Sequence, residues 1–327
     1  MFKTIAHKIF LSLHPAIRNG LFMIYSLIRF GYPLGYWTTF CIEINSDCNR
    51  DCWFCWRNSD VSGLRKNSQG EHTQLFMPTD MVLDIIDQAC KFGYRGNIAF
   101  NLYNEPILDE RLLYFARYAQ RRGLTTELTT NGDVIKKTTD HAFLNDLQES
   151  FDKIHIGLYD FTNEKEKEEA KATFIKRLYK VKFLDFWGGE REAVLGMNEK
   201  KFYDKYGISM VDAVRWSVGK PCLAPRDQLL VRYDGKIVLA CPCGVGFAVD
   251  DIREHKLWEY WFSYKHMTYV KTLSKAGGRS KFEECKRCPS GGDYPEHIKA
   301  KLAQEVKDKK EYFYHSPRYL SRGDRDV

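Results

Sequence analysis

The sequence predicts an α/β chain built on a parallel sheet, followed by a small hairpin-and-helix unit. Three observations carry this expectation. Short apolar runs alternate with helical stretches from Thr38 to Phe186. Two further runs are joined by Asp234-Gly235, a favoured hairpin turn. Cysteines cluster at the start of the first region and again around the hairpin. Repeated βα units of this spacing form a parallel sheet, open or closed into a barrel, whose loops after the strand ends build the site.

The expected strands are Phe40–Ile44, Asn97–Leu102, Thr125–Thr129, Lys153–Leu158 and Val181–Phe186. Between them lie helical patterns at Met81–Phe92, Glu110–Arg122, Ala142–Gln148 and Glu164–Tyr179. The hairpin spans Leu229–Tyr233 and Lys236–Leu239, and an aromatic-rich helix follows at Leu257–Leu273. Residues 1–36 read as one or two amphipathic helices interrupted by Pro15 and Gly20, packed on the outside of the body; a helix lying on a membrane surface is the lesser reading. A charged helix is expected from Glu296. The expected divisions are therefore 1–36, 37–218, 219–294 and 295–327.

Composition narrows the functional classes. The 327 residues are 44% hydrophobic and 28% charged, values of an ordinary globular chain, which exclude wholesale disorder and a polytopic membrane protein. A net charge of +7 without a concentrated basic block gives no reason to expect nucleic acid as a partner. The apolar stretch Leu21–Ile28 is too short to cross a bilayer, and no signal-peptide cleavage pattern follows the first apolar run, so a cytoplasmic location is expected. In that compartment, closely spaced cysteines point to metal or redox chemistry ahead of disulfides.

Cys48, Cys52 and Cys55 fall in a loop directly after the first strand. Three thiolates suit a 4Fe–4S cluster with one open iron, the form needed to bind a substrate or cofactor. Zinc is the alternative, but a closed structural site wants a fourth ligand, and the nearest candidate is His72. A second set, Cys222, Cys241, Cys243, Cys285 and Cys288, brackets the hairpin and the aromatic helix. Cys41 and Cys90 read as packing residues, His155 as a satisfied core histidine, and Trp53, Trp56, Trp258 and Trp261 as packing aromatics.

These motifs resemble the radical S-adenosylmethionine (SAM) superfamily. CNRDCWFC places Phe54 before the last cysteine of the triplet; Asn104-Glu105-Pro106 ends the second strand; and Thr130-Asn131-Gly132 ends the third. The resemblance implies a partial (β/α)6 TIM-like barrel. It implies that Cys48, Cys52 and Cys55 hold the SAM-binding cluster, and that Phe54, Asn104, Glu105, Pro106, Thr130 and Asn131 surround SAM. The family's serine near Gly157 is missing from KIHIGLYD, so Gly157 and Leu158 carry little weight. The second set resembles the SPASM or twitch auxiliary domain, which implies one auxiliary 4Fe–4S cluster on Cys222, Cys241, Cys285 and Cys288, with zinc again the alternative. Cys243 is then left over; radical SAM epimerases use such a thiol as hydrogen-atom donor.

The implied activity is reductive cleavage of SAM to a 5′-deoxyadenosyl radical, which abstracts a hydrogen atom from a small polar substrate such as a sugar, cyclitol or aminoglycoside-like metabolite. Oxidation is favoured over epimerisation, with a flavodoxin- or ferredoxin-type electron donor. The alternatives are a peptide-modifying radical SAM enzyme and a non-catalytic iron–sulfur or zinc protein.

Overall fold

A computed structural model describes residues 10–50, 75–158, 164–185, 219–239 and 248–286. After a helical segment at residues 10–12 comes helix α1 (Pro15–Phe30). Pro15 sits in its first turn, where a missing N–H costs nothing, and Gly31 at a φ of 68° closes it by donating to Leu27 O. The interruption expected at Pro15 is present, since residues 10–12 are helical and Pro15 starts a new helix after the break at 13–14, whereas Gly20 lies inside that helix and does not interrupt it.

The body then alternates as anticipated: β1 (Thr39–Ile42), α2 (Thr79–Lys91), β2 (Asn97–Ala99), α3 (Leu112–Arg121), β3 (Thr125–Thr130), α4 (Asp133–Lys137), α5 (His141–Ser150), β4 (Lys153–Leu158), α6 (Glu164–Arg177) and β5 (Lys182–Asp185). After it come α7 (Ala224–Asp227), β6 (Gln228–Val231), β7 (Lys236–Val238), β8 (Ala248–Asp251), α8 (Leu257–Trp261), α9 (Tyr264–Leu273) and α10 (Glu283–Lys286). The single aromatic helix expected over Leu257–Leu273 is two helices, because Ser263 accepts a hydrogen bond from His266 N and caps a new start.

The strands form one sheet of order β5-β4-β3-β2-β1-β6-β7-β8. Its first six members are parallel, and β7 and β8 are antiparallel. Among the described residues the sixth parallel strand is thus β6, whose Leu229 and Val231 lie opposite Phe40 and Ile42 of β1. The hairpin extends the sheet directly. The segment 240–247 and the charged tail expected from Glu296 lie outside the described residues.

The two faces of the sheet differ in chemistry. Phe40, Ile42, Ile98, Leu128, Ile154 and Ile156 are buried on the outer face, in one core with Ile85 and Ile86 of α2, Phe115 and Ala119 of α3, Leu147 of α5 and Phe174 of α6. The alternate residues face inward, as the period of a strand requires. Those include Asn97, Glu127, Thr129, Lys153 and His155, all partly exposed, with Lys182 opposite His155 on β5, and beside them Cys41, Ala99, Gly157, Leu184 and Leu230. Asn97 Nδ2 donates to Glu127 Oε1 at 2.9 Å, and Lys153 Nζ lies 2.5 Å from the same oxygen. His155 is therefore an inner-face residue rather than the core histidine expected from sequence, and partial burial lowers its pKa and keeps it neutral.

Aromatic packing joins the two ends of the described chain. Trp261 Nε1 donates to Gly35 O at 2.8 Å, and its ring meets Trp37 edge-on. Trp258 stacks on Phe92. The expectation that Trp258 and Trp261 are packing residues holds, while Trp53 and Trp56 lie outside the described residues.

Candidate functional site

Three loops meet at the carboxyl ends of β1, β2 and β3, where a parallel sheet leaves its backbone ends open for function. The first continues β1 through Asn45, Ser46 and Asp47 to Cys48. Asn45 Oδ1 accepts from Asp47 N, and Asp47 Oδ1 accepts from Cys48 N, both at 2.8 Å. The chain returns at residues 75–77, where Ser46 N donates to Leu75 O and Met77 N to Ile44 O. The cysteine loop is thereby closed at its base.

The second loop follows β2. Asn104 folds onto its own turn, accepting from Leu102 N at 3.0 Å and donating to Phe100 O at 3.2 Å. Pro106 opens a short 3-10 helix, Pro106–Leu108, capped by Glu105. Glu105 N donates to Asp47 O at 2.7 Å, which ties this loop to the one carrying Cys48.

The Glu105 carboxylate then ties both to the third loop. Thr130 Oγ1 donates to Glu105 Oε1 at 2.7 Å, Asn131 N to Oε2 at 2.8 Å, and Ile107 N to Oε1 at 3.3 Å. Glu105 is only 2% exposed. Burial pushes its pKa up to about 7, against these hydrogen bonds and the nearby Arg50 charge, which favour the ionised form.

Asn131 completes the cluster. Its Nδ2 donates to Asn49 Oδ1 at 2.7 Å and lies 3.9 Å from Cys48 Sγ, while its Oδ1 accepts from Asp133 N. Sequence reasoning missed the ion pair beside it. Arg50 grips Asp133 with Nε at 2.7 Å and Nη2 at 2.6 Å, and the same Nη2 donates to Asn131 O at 3.0 Å. Its only sequence signal is a lone arginine inside the cysteine spacing and an aspartate directly after Gly132. Asp133→Asn removes one charge of a bidentate pair whose arginine side chain is 9% exposed. The expected cost is about 2 kcal/mol, read as a shift in urea unfolding, because a largely buried guanidinium is left without its counter-charge.

Of the sequence-predicted site residues, the structure brings together Cys48, Glu105, Thr130 and Asn131, with Asn104 and Pro106 shaping the backbone that presents Glu105. Gly157 and Leu158 are buried at the end of β4. Cys52, Phe54, Cys55, Cys241, Cys243 and Cys288 lie outside the described residues. Cys222 and Cys285 flank the far end of α9: Cys222 N donates to Leu273 O at 2.7 Å, and Cys285 is buried in α10, beside the 3-10 turn that follows α9. Cys41, Cys48, Cys90, Cys222 and Cys285 form no disulfide. Burial raises the Cys90 pKa, and its thiol lies 3.8 Å from Arg122 O, consistent with a packing role.

Cys48, the described thiol of the triplet, sits beside an amide donor and a paired guanidinium at a sheet end that also presents a buried carboxylate, surroundings that suit one ligand of an iron–sulfur cluster. A family model for the radical SAM superfamily matches residues 42–185. A second, for an iron–sulfur cluster-binding (SPASM) domain, matches residues 222–289. The chain belongs to the radical SAM superfamily.

An S-adenosyl-L-methionine-dependent 2-deoxy-scyllo-inosamine dehydrogenase from Niallia circulans is 24% identical over 261 residues, spanning 76% of this chain and 90% of that protein. The structure of BtrN in complex with AdoMet and 2-DOIA superposes with a TM-score of 0.57 at 21% identity, over 78% of this chain and 94% of BtrN. Selenomethionine BtrN in an open conformation gives 0.52 at 20% identity, over 77% and 92%. The radical SAM partial barrel is therefore the fold, and the cofactors are SAM and 4Fe–4S clusters.

Proposed function

We propose that this radical SAM enzyme oxidises a secondary alcohol on a small, hydroxyl- or amine-bearing ring, of the cyclitol or aminoglycoside class. The observation that carries the reading is the inner face of the sheet. Asn97, Glu127, Thr129, Lys153, His155 and Lys182 offer donors and acceptors across adjacent strands, next to the apolar Cys41, Ala99, Leu184 and Leu230, a mixed lining that suits a small polar ring. The likeness to a dehydrogenase of 2-deoxy-scyllo-inosamine supports the same substrate class.

In this reading Cys48, Cys52 and Cys55 hold the SAM-binding cluster; Cys222, Cys241, Cys285 and Cys288 hold the auxiliary cluster; and Cys243 is held in reserve as a hydrogen-atom donor. Phe54, Asn104, Glu105, Pro106, Thr130 and Asn131 form the SAM pocket. Together the bound cofactors supply a one-electron cleavage that removes one hydrogen atom from a substrate carbon and an acceptor for the electron that follows. The chain's own residues do the rest. The inner-face groups orient the ring, and His155, held neutral by burial, accepts the hydroxyl proton at a ring nitrogen. Loss of one hydrogen atom, one electron and one proton turns the alcohol into a ketone. A flavodoxin- or ferredoxin-type donor and a cytoplasmic setting complete the proposal.

The test is anaerobic reconstitution and assay with 2-deoxy-scyllo-inosamine in deuterated water. The expected results are about eight irons per chain, about half of them lost when Cys48, Cys52 and Cys55 are changed to Ala, and one 5′-deoxyadenosine per ketone. A product of unchanged oxidation state carrying solvent deuterium transfers the assignment to epimerisation through Cys243.

A further inference from the structure

Helix α1 presents an apolar face that no described part of the chain covers. Ile17, Leu21, Ile24 and Ile28 recur at helical spacing and share one side, with exposures of 54%, 44%, 56% and 81%. Leu27 and Tyr25 flank the stripe, also exposed. The opposite side holds the helix to the body: Ser26 exchanges hydrogen bonds with Leu34, Phe22 stacks on Phe262, and Phe30 packs edge-on against Tyr264 of α9. The helix is thus fixed on the protein with its aliphatic stripe facing out.

Its surroundings are cationic. Residues 10–42 contain no Asp or Glu, and of their two cations Arg29 is exposed at the stripe while Arg18 is buried. Residues 263–282, which form α9 and the turn after it, contain Lys265, Lys271, Lys275 and Lys281 and no acid, with Arg279 buried and Glu283 and Glu284 following. Lys265, Lys271, Lys275 and Lys281 are exposed. Arg29 lies over the rings of Tyr25, Phe30 and Tyr264, so a guanidinium and two exposed tyrosines border the stripe. Rings with a polar tip beside a cation suit the depth of lipid headgroups.

We propose that α1 and α9 dock this enzyme on an anionic bilayer, with α1 lying in the interface plane. Charge complementarity selects this occupant. A second copy related by a two-fold axis would set the same cationic borders against each other, whereas anionic headgroups neutralise them. No described helix is long and apolar enough to cross a membrane, so the contact is peripheral. The helix packs on Tyr36, which precedes β1, and on Phe92, which precedes β2, whereas Cys48, Glu105 and Asn131 lie beyond the opposite ends of the strands. Docking by this face leaves the cofactor site turned away from the lipid.

The test is flotation of the full chain with phosphatidylcholine vesicles, with and without phosphatidylglycerol. Recovery is expected to be about ten-fold higher with phosphatidylglycerol and to fall as salt is raised. Ile24→Glu with Ile28→Glu, and separately Lys265→Glu with Lys275→Glu, each reduce it about ten-fold while melting temperature and SAM cleavage stay unchanged. Failure to float, recovery independent of phosphatidylglycerol, or full recovery of either double variant overturns the proposal. A wild-type dimer that Ile24→Glu with Ile28→Glu converts to monomer also overturns it, and assigns the face to a second copy.

Discussion

Replacing Glu105 by alanine is expected to lower affinity for SAM about a hundred-fold while leaving the iron content near that of the wild type. The carboxylate joins all three loops of the site, receiving Thr130 Oγ1, Asn131 N and Ile107 N, while its own backbone N–H is held by Asp47 O. Removing it strands buried donors, each worth roughly 1–3 kcal/mol when left unmade. About 2.7 kcal/mol spent on reordering Thr130 and Asn131 at each binding event corresponds to the hundred-fold loss. Calorimetric titration of the reconstituted variant with SAM measures it, and an unchanged affinity would remove Glu105 from the pocket.

The same residue gives a pH signature that a simple loss of packing would not. Its pKa in the folded chain, about 7, lies above the ordinary carboxyl value of 4.5. A raised value means that the folded state binds the proton more tightly than the unfolded state. The stabilisation is fully present below the unfolded value and is lost as pH rises through about 7. The melting temperature of the wild type is expected to fall between pH 5 and pH 8 relative to Glu105→Gln, which has no such titration.

Strand positions were legible because the apolar pattern and the register agree: Lys153–Leu158 is the strand read from sequence, residue for residue. The candidate site's backbone was partly legible: Thr130-Asn131-Gly132 stands at the end of β3 as read, whereas Asn104-Glu105-Pro106 lies in the loop beyond β2, which ends at Ala99. Partnerships between distant segments were not. Arg50 and Asp133 are ordinary charged residues until two loops bring them together, and nothing local distinguishes that pair from surface charges. The outer-face residues and His155 alternate along the same strands, and only the packing of α2, α3, α5 and α6 decides which side is core. Likewise Leu229–Tyr233 reads as a strand, but the place of β6 beside β1 depends on burial of both its faces, which a short apolar run does not specify.

Gly132→Ala is expected to destabilise the protein by about 2–5 kcal/mol, more than its single added methyl would suggest. Two costs combine. The backbone at Gly132 has a φ of 80°, which an alanine adopts at a cost of roughly 1–2 kcal/mol. A Cβ placed there would also stand 2.8 Å from Phe174 Cζ and 3.0 Å from Ile156 Cγ2. Phe174 is 3% exposed within the core between α6 and the sheet, so its ring has no room to withdraw, and overpacking of this kind costs about 1–3 kcal/mol. The two contributions are separable. Phe174→Leu in the Gly132→Ala background relieves the steric part and leaves the backbone part, so the double variant loses less stability than the sum of its single changes. Urea unfolding of the four proteins measures the coupling. Strict additivity would show that Phe174 does not press on this turn, and that Gly132 is set by its φ alone.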